Sequence, residues 1–202
     1  MRFGIDVDGV LAQFNARFAE RLIQVSGGKD AIGKDRRRND DFPCWNWPEH
    51  FGYTKAENNA AWESVKRDQA FWASLRPYSD ALDALIMLRS LRQNGHDIYF
   101  ITARPGERAK LQTERWLMDH GMNVATVLIS SAKGACAEAL NLDFYVDDKP
   151  ENCEDVQEFS RAETYVVTRA WNVGFASPYI QRVANLSEAL AHYLDTVPVE
   201  AL

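Results

Sequence analysis

From residue 79 onward the chain alternates short runs of β-branched and aromatic residues with longer stretches whose apolar residues recur every three or four positions. The short runs are Asp97-Ile-Tyr-Phe-Ile-Thr102, Val124-Ala-Thr-Val-Leu-Ile129, Asp143-Phe-Tyr-Val-Asp147 and Thr164-Tyr-Val-Val-Thr168. Arg2-Phe-Gly-Ile-Asp-Val7 opens the chain in the same manner. Short, nearly continuous apolar runs are what strands buried on both faces look like. Strands joined through helices cross over right-handedly, and the result is a parallel sheet covered on both sides. The expected fold is therefore α/β, a three-layer Rossmann-like arrangement around a parallel sheet.

Helices are predicted over 10–25, 57–75, 79–94, 107–120, 133–140 and 187–194. The first ends at Ser26-Gly27-Gly28, the third begins at Ser79 as N-cap and closes at Asn94-Gly95, and the fourth stops at Gly121. Residues 29–56 read as irregular, with Gly33, Pro43, Pro48 and Gly52 breaking any periodicity. They also hold Phe42, Trp45, Trp47, Phe51 and Tyr53. The expected organisation is a core formed by 1–13 and 79–202, with a small helical cap, 14–78, inserted after the first strand.

Ligands of open parallel sheets bind beyond the carboxyl ends of the strands. The first strand runs into Asp6-Val-Asp8-Gly9, the second into Thr102-Ala103-Arg104, the third into Ser130-Ser131-Ala132-Lys133, and the fourth into Asp147-Asp148-Lys149-Pro150. Asp after a strand is often a turn or cap residue, but that reading does not explain four polar sets delivered to one edge. Two carboxylates about 4 Å apart repel by about 4 kcal/mol at an effective dielectric near 20. Such a cluster therefore calls for a cation or for shifted ionisation. Oxygen-only ligands with room for water favour Mg²⁺, and no His or Cys accompanies them to favour zinc.

Phosphoryl transfer through a carboxylate nucleophile suits this set. Asp6 would attack phosphorus, and Asp8 would protonate the leaving alcohol and later activate water. Gly9 would let the backbone turn tightly beside the phosphate. The Thr102 hydroxyl and backbone N–H groups there and at Ala103 would meet phosphate oxygens, with Lys133 as a fixed positive charge. Asp148 would ligate Mg²⁺ beside Asp6, with Asp147 orienting the surrounding shell.

Asp6-Val-Asp-Gly-Val10, Ile101-Thr102, Lys133 and Val146-Asp147-Asp148 resemble the four motifs of the haloacid dehalogenase superfamily. The resemblance implies strand order 5-4-1-2-3, an aspartyl-phosphate intermediate, and contact of the Asp8 backbone carbonyl with Mg²⁺. More narrowly, Asp6 to Phe14, the run Phe71-Trp72-Ala-Ser-Leu75-Arg-Pro77 and Asp147-Asp148-Lys149-Pro150 look like the 5'(3')-deoxyribonucleotidases. That family usually has Asp where this chain has Gln13. The implied activity is 5'-nucleotidase, with sugar-phosphate hydrolysis as the alternative and a silent binding module as a third reading. Arg169-Ala-Trp171-Asn172 resembles a loop near the site in related bacterial proteins. Phe14, Trp45, Trp47 and Trp72 are candidates to face a nucleobase, whereas Trp62 and Val65 read as packing residues of the cap.

The expected partner is a small phosphate ester. A net charge of −6 gives no basic face for long nucleic acid. No apolar run approaches the roughly 20 residues of a membrane span. Three cysteines without C-x-x-C spacing read as reduced thiols of a cytoplasmic protein. Monomer and homodimer both remain open.

Overall fold

The structure, a computed structural model, describes residues 1–198. Its centre is a six-stranded sheet in which every pairing is parallel. The strands are β1 Arg2–Ile5, β2 Asp97–Thr102, β3 Thr126–Ile129, β4 Phe144–Asp147, β5 Glu163–Val167 and β6 Gln181–Val183. Their order is β3-β2-β1-β4-β5-β6. The five-strand order expected from the sequence is intact, and β6 extends it at the β5 edge as a correction. Three residues with a polar start give no periodic signal, so β6 could not be read in advance.

The helices are α1 Phe14–Val25, α2 Lys34–Asn39, α3 Trp47–His50, α4 Lys55–Arg67, α5 Ala81–Gln93, α6 Ala109–Asp119, α7 Lys133–Leu140, α8 Pro150–Phe159 and α9 Leu186–Thr196. Several differ from expectation. α1 starts at Phe14, because Val10 to Ala12 close a turn in which Leu11 and Ala12 N–H both donate to the Val7 carbonyl. The stretch 57–75 is two elements. Asp68 leaves the helix at ψ 127 and its carboxylate accepts from Ala70 N–H, so Trp72–Ser74 forms a separate 3₁₀ turn. Asp80, not Ser79, stands at the N-cap of α5. α2 and α3 lie within the stretch read as irregular, and α8 was not anticipated.

Side chains alternate across the sheet as strand geometry requires. Phe144 and Val146 enter one core with Phe3, Ile5 and Leu88, while Tyr145 enters the opposite core with Ile101 and Val156. The first core continues into the inserted segment through Phe18, Trp47 and Phe71. On the second face α7 packs closely on α8. Gly134 makes that approach feasible, since a Cβ there would sit 2.5 Å from the Asp155 carbonyl oxygen.

Residues 14–78 lie between β1 and the helix that leads to β2. The chain leaves and re-enters the sheet region side by side. Ala12 bridges Pro77 antiparallel, Gln13 N–H donates to the Arg76 carbonyl at 2.8 Å, and Tyr78 N–H to the Leu11 carbonyl at 2.9 Å. Trp72 N–H donates to Gln112 Oε1 and the Trp116 indole to the Leu75 carbonyl, which ties the return segment to α6.

Candidate active site

β1 and β4 are adjacent, so their carboxyl ends bring Asp6, Asp147 and Asp148 together. One carboxylate oxygen from each lies within 4.8 Å of the others, and all three residues are buried. Asp6 N–H is tied to the Val146 carbonyl at 3.0 Å, which fixes the backbone from which its side chain projects. α7 delivers Lys133 to the same point. Its ammonium donates to Asp6 Oδ1 at 2.5 Å and to the Ile101 carbonyl, and stands 3.6 Å from Asp147.

Burial first, and charge crowding second, govern the titration of this cluster. Burial pushes the Asp6 carboxyl up to about 8; Lys133 pulls the other way, while Asp147 and Asp8 push further up. Asp148 is raised well above the usual carboxylate range by burial and by the charges of Asp147 and Asp6. Burial opposes the charge on Lys133, but Asp6 and Asp147 outweigh it and keep the ammonium charged above its ordinary value. One buried cation cannot balance three carboxylates. Hard oxygen ligands carrying surplus negative charge match Mg²⁺.

The two acids of β4 are held differently. Both Asp147 oxygens already accept hydrogen bonds, Oδ2 from the Tyr145 hydroxyl at 2.5 Å and Asn152 at 2.9 Å, and Oδ1 from Lys149 N–H at 2.9 Å. Asp148 Oδ2 accepts from the Trp171 indole at 2.8 Å, and its carbonyl from Asn172 Nδ2 at 2.6 Å. The loop 169–172 thus sits beside the acids. Arg169 Nε donates to the Gly9 carbonyl at 2.6 Å, joining that loop to the turn after β1. Gly9 itself has φ +79, and a Cβ there would lie 2.2 Å from the Asp148 carboxylate.

Asp8 stands apart from the three-acid group. Arg104 grips it with Nε on Oδ2 and Nη2 on Oδ1, and the Thr102 hydroxyl is 3.4 Å from Oδ2. Arg104 is buried, donates its third nitrogen to Thr113, and lies with its guanidinium carbon 5.0 Å from the Trp72 ring centroid. The sequence placed Arg104 at the end of β2 without a task. Its signal was the occurrence of a cation among four acids.

Above these groups lies a cavity of about 360 Å³ whose walls include Asp6, Asp8, Thr102, Ala103, Lys133 and Asp148. Arg104, Pro105, Ser131, Lys149 and Asn152 also line it, and much of the remaining wall comes from residues 14–78. Phe14, Trp45, Trp47 and Trp72 all contribute, and so does Trp62, which the sequence assigned to packing alone. Phe14 stacks on Trp72 at 5.6 Å and on Trp62 at 5.5 Å between centroids. Trp47 is buried and donates to Asn15. Trp45 is 45% exposed, near Trp171 and under the Lys149 ammonium.

A sequence model of the family described as "5' nucleotidase, deoxy (Pyrimidine), cytosolic type C protein" matches residues 1–193. A Bacillus cereus protein described as "Putative nucleotidase" is 29% identical over 195 residues, covering 94% of this chain and 98% of that protein. A second of that description, from Oceanobacillus iheyensis, is 28% identical over 155 residues, 74% of this chain and 78% of its own. Among solved structures, a haloacid dehalogenase hydrolase from Bacillus subtilis, solved with magnesium, superposes with a TM-score of 0.58 at 14% identity over 96% of this chain and 98% of that one. Among the described residues, no helix is long and apolar enough to cross a membrane.

Proposed function

The chain belongs to the family of cytosolic type C 5'-nucleotidases, and on that premise we propose that it hydrolyses (deoxy)ribonucleoside 5'-monophosphates with Mg²⁺ through an aspartyl-phosphate on Asp6. Its class, a hydrolase of the haloacid dehalogenase fold, follows from the family and its structural neighbours. The observation that carries the finer reading is one cavity whose walls combine buried acids and Lys133 with stacked aromatic rings.

Asp6 and Asp148, with the Asp8 backbone carbonyl, would hold the ion, and Asp147 would orient its surroundings. When bound, Mg²⁺ supplies positive charge that offsets the acids and the phosphate oxygens. Asp6 attacks phosphorus with a carboxylate oxygen, the P–O bond to the nucleoside breaks, and Asp8 gives its proton to the leaving oxygen. Asp8 then takes a proton from water, whose oxygen attacks the aspartyl-phosphate and releases inorganic phosphate, restoring Asp6. Arg104 engages both oxygens of Asp8, so Asp8 must yield at least one of those bonds to reach the leaving group. Lys133 steadies the Asp6 carboxylate and the charge of the intermediate, while the Thr102 hydroxyl and Ala103 N–H meet phosphate oxygens. The segment 14–78 acts as a lid whose aromatic rings stack on the base and exclude water.

Phosphate release measured over a panel of nucleoside monophosphates and sugar phosphates, with and without Mg²⁺, tests the reading. Magnesium-dependent turnover of nucleotides well above sugar phosphates supports it. Activity on sugar phosphates alone would replace the substrate and leave the chemistry standing.

A further inference from the structure

Stacked rings hold a planar base, but they do not tell one base from another, because every base has a π-face. Discrimination needs a polar atom on the wall that the base meets. Most polar groups on the aromatic side of the cavity are already engaged. Asn15 Oδ1 accepts from the Trp47 indole at 3.0 Å, the Trp72 indole donates to the Pro105 carbonyl at 3.1 Å, and the Asn46 amide donates to Glu49.

Asn58 is different. It lines the same cavity, and its Oδ1 is buried with no hydrogen-bond partner among the described residues. Among the described residues, it alone of the buried side-chain atoms left without partners belongs to a residue of the cavity wall. It lies on α4 four positions before Trp62, so carboxamide and indole share one face of that helix. The start of α4 is fixed by a capping box between Thr54 and Glu57, which sets the position of Asn58 one turn in.

We propose that Asn58 is a specificity-determining residue whose Oδ1 accepts a hydrogen bond from an N–H on the edge of the nucleobase while the base stacks against the neighbouring rings. This rests on the nucleotidase reading above. A buried acceptor left unpaired is costly, so a base that brings a donor is favoured over a substrate of similar shape that brings none. In that reading the phosphate meets Thr102, Ala103 and Lys133, so loss of the Asn58 contact is read through the base.

The test compares kcat/KM for two substrates: whichever common deoxynucleoside monophosphate the native enzyme turns over fastest, and 2-deoxyribose 5-phosphate, which has no base. Asn58→Ala is expected to lower the nucleotide-to-abasic ratio about tenfold or more, with abasic turnover within about twofold of native. Asn58→Asp keeps an acceptor and is expected to restore the ratio to within about threefold. Alanine is a strong helix former, so Asn58→Ala keeps α4, and the abasic control reports any general damage. An unchanged ratio in Asn58→Ala, an equal fall for both substrates, or a ratio lost equally in Asn58→Asp overturns the proposal. Native enzyme that hydrolyses no nucleotide would instead remove the reading beneath it, a result visible before any variant is made.

Discussion

Both carboxylate oxygens of Asp8 are held by the single guanidinium of Arg104, Oδ2 at 2.9 Å and Oδ1 at 2.8 Å. Thr113 and the face of Trp72 fix the guanidinium in turn. A forked, planar donor is what such a grip requires, and lysine does not reproduce it. Arg104→Lys is therefore expected to lower kcat by about ten- to a hundredfold through a mispositioned Asp8. If Asp8 has the proposed role of protonating the departing oxygen, the loss should be larger for nucleotides than for p-nitrophenyl phosphate, whose leaving group needs no proton. Equal losses on both substrates would assign Arg104 to structure alone.

Asp6→Asn should abolish phosphate release while raising the melting temperature of the metal-free protein. Asp6 is raised to about 8 and Asp148 is raised too. In both, the folded state holds protons that the unfolded chain gives up near the ordinary carboxylate value. Stability is thus present at low pH and is lost as pH climbs toward about 8. Melting temperatures of metal-free native protein are expected to fall between pH 5 and pH 9, with a shallower slope in Asp6→Asn. A native curve that rises over that interval would contradict the charge crowding described.

The same linkage sets the behaviour toward magnesium. Binding needs the acids ionised, so Mg²⁺ should raise the melting temperature more at pH 8.5 than at pH 6. Removing divalent ions with EDTA should abolish turnover reversibly. Asp148→Asn should lose both effects, which thermal shift and phosphate release can read side by side.

At Gly9 the backbone has φ +79 and a Cβ would fall 2.2 Å from the Asp148 carboxylate. Gly9→Ala combines a disfavoured conformation with that collision and should destabilise by about 1–3 kcal/mol. It should also weaken magnesium binding, seen as a higher Mg²⁺ concentration for half-maximal activity.

Trp62 lines the cavity against Phe14 and Phe18. Trp62→Ala is expected to raise KM for nucleotides about ten- to a hundredfold, the loss of one stacking surface. Turnover of 2-deoxyribose 5-phosphate should change far less. A proportionate fall on both would make Trp62 a packing residue.

The strand order came from the motif resemblance. The gathering of Asp6, Asp8, Thr102 and Asp148 was legible because each sits where an apolar run ends, with Lys133 just beyond the third run, and parallel topology sends those ends to one rim. The internal breaks of the inserted segment were not. Asp68 ends α4 through a local carboxylate turn, and no periodicity announces that. Trp62 has the spacing of a packing residue on an amphipathic helix, and only the tertiary arrangement turns its face toward a cavity. Arg104 shows the same limit. Its neighbours at the strand end were chemically obvious, but its partner Asp8 lies ninety-six positions away. β6 is held at the sheet edge by pairing with β5, a stabilisation that its own residues do not express.

The antiparallel contact of Ala12 with Pro77 has a mechanical consequence. The outgoing and returning chains are hydrogen-bonded to each other, so the proposed lid would turn about one joint rather than on two loose tethers. Such a joint permits swinging and resists sliding. A swing that lifts the tryptophans away from the rim must also release the clasps that Gln112 and Trp116 make with the returning chain. In the proposed lid, substrate entry would be coupled to the unfastening of those few bonds.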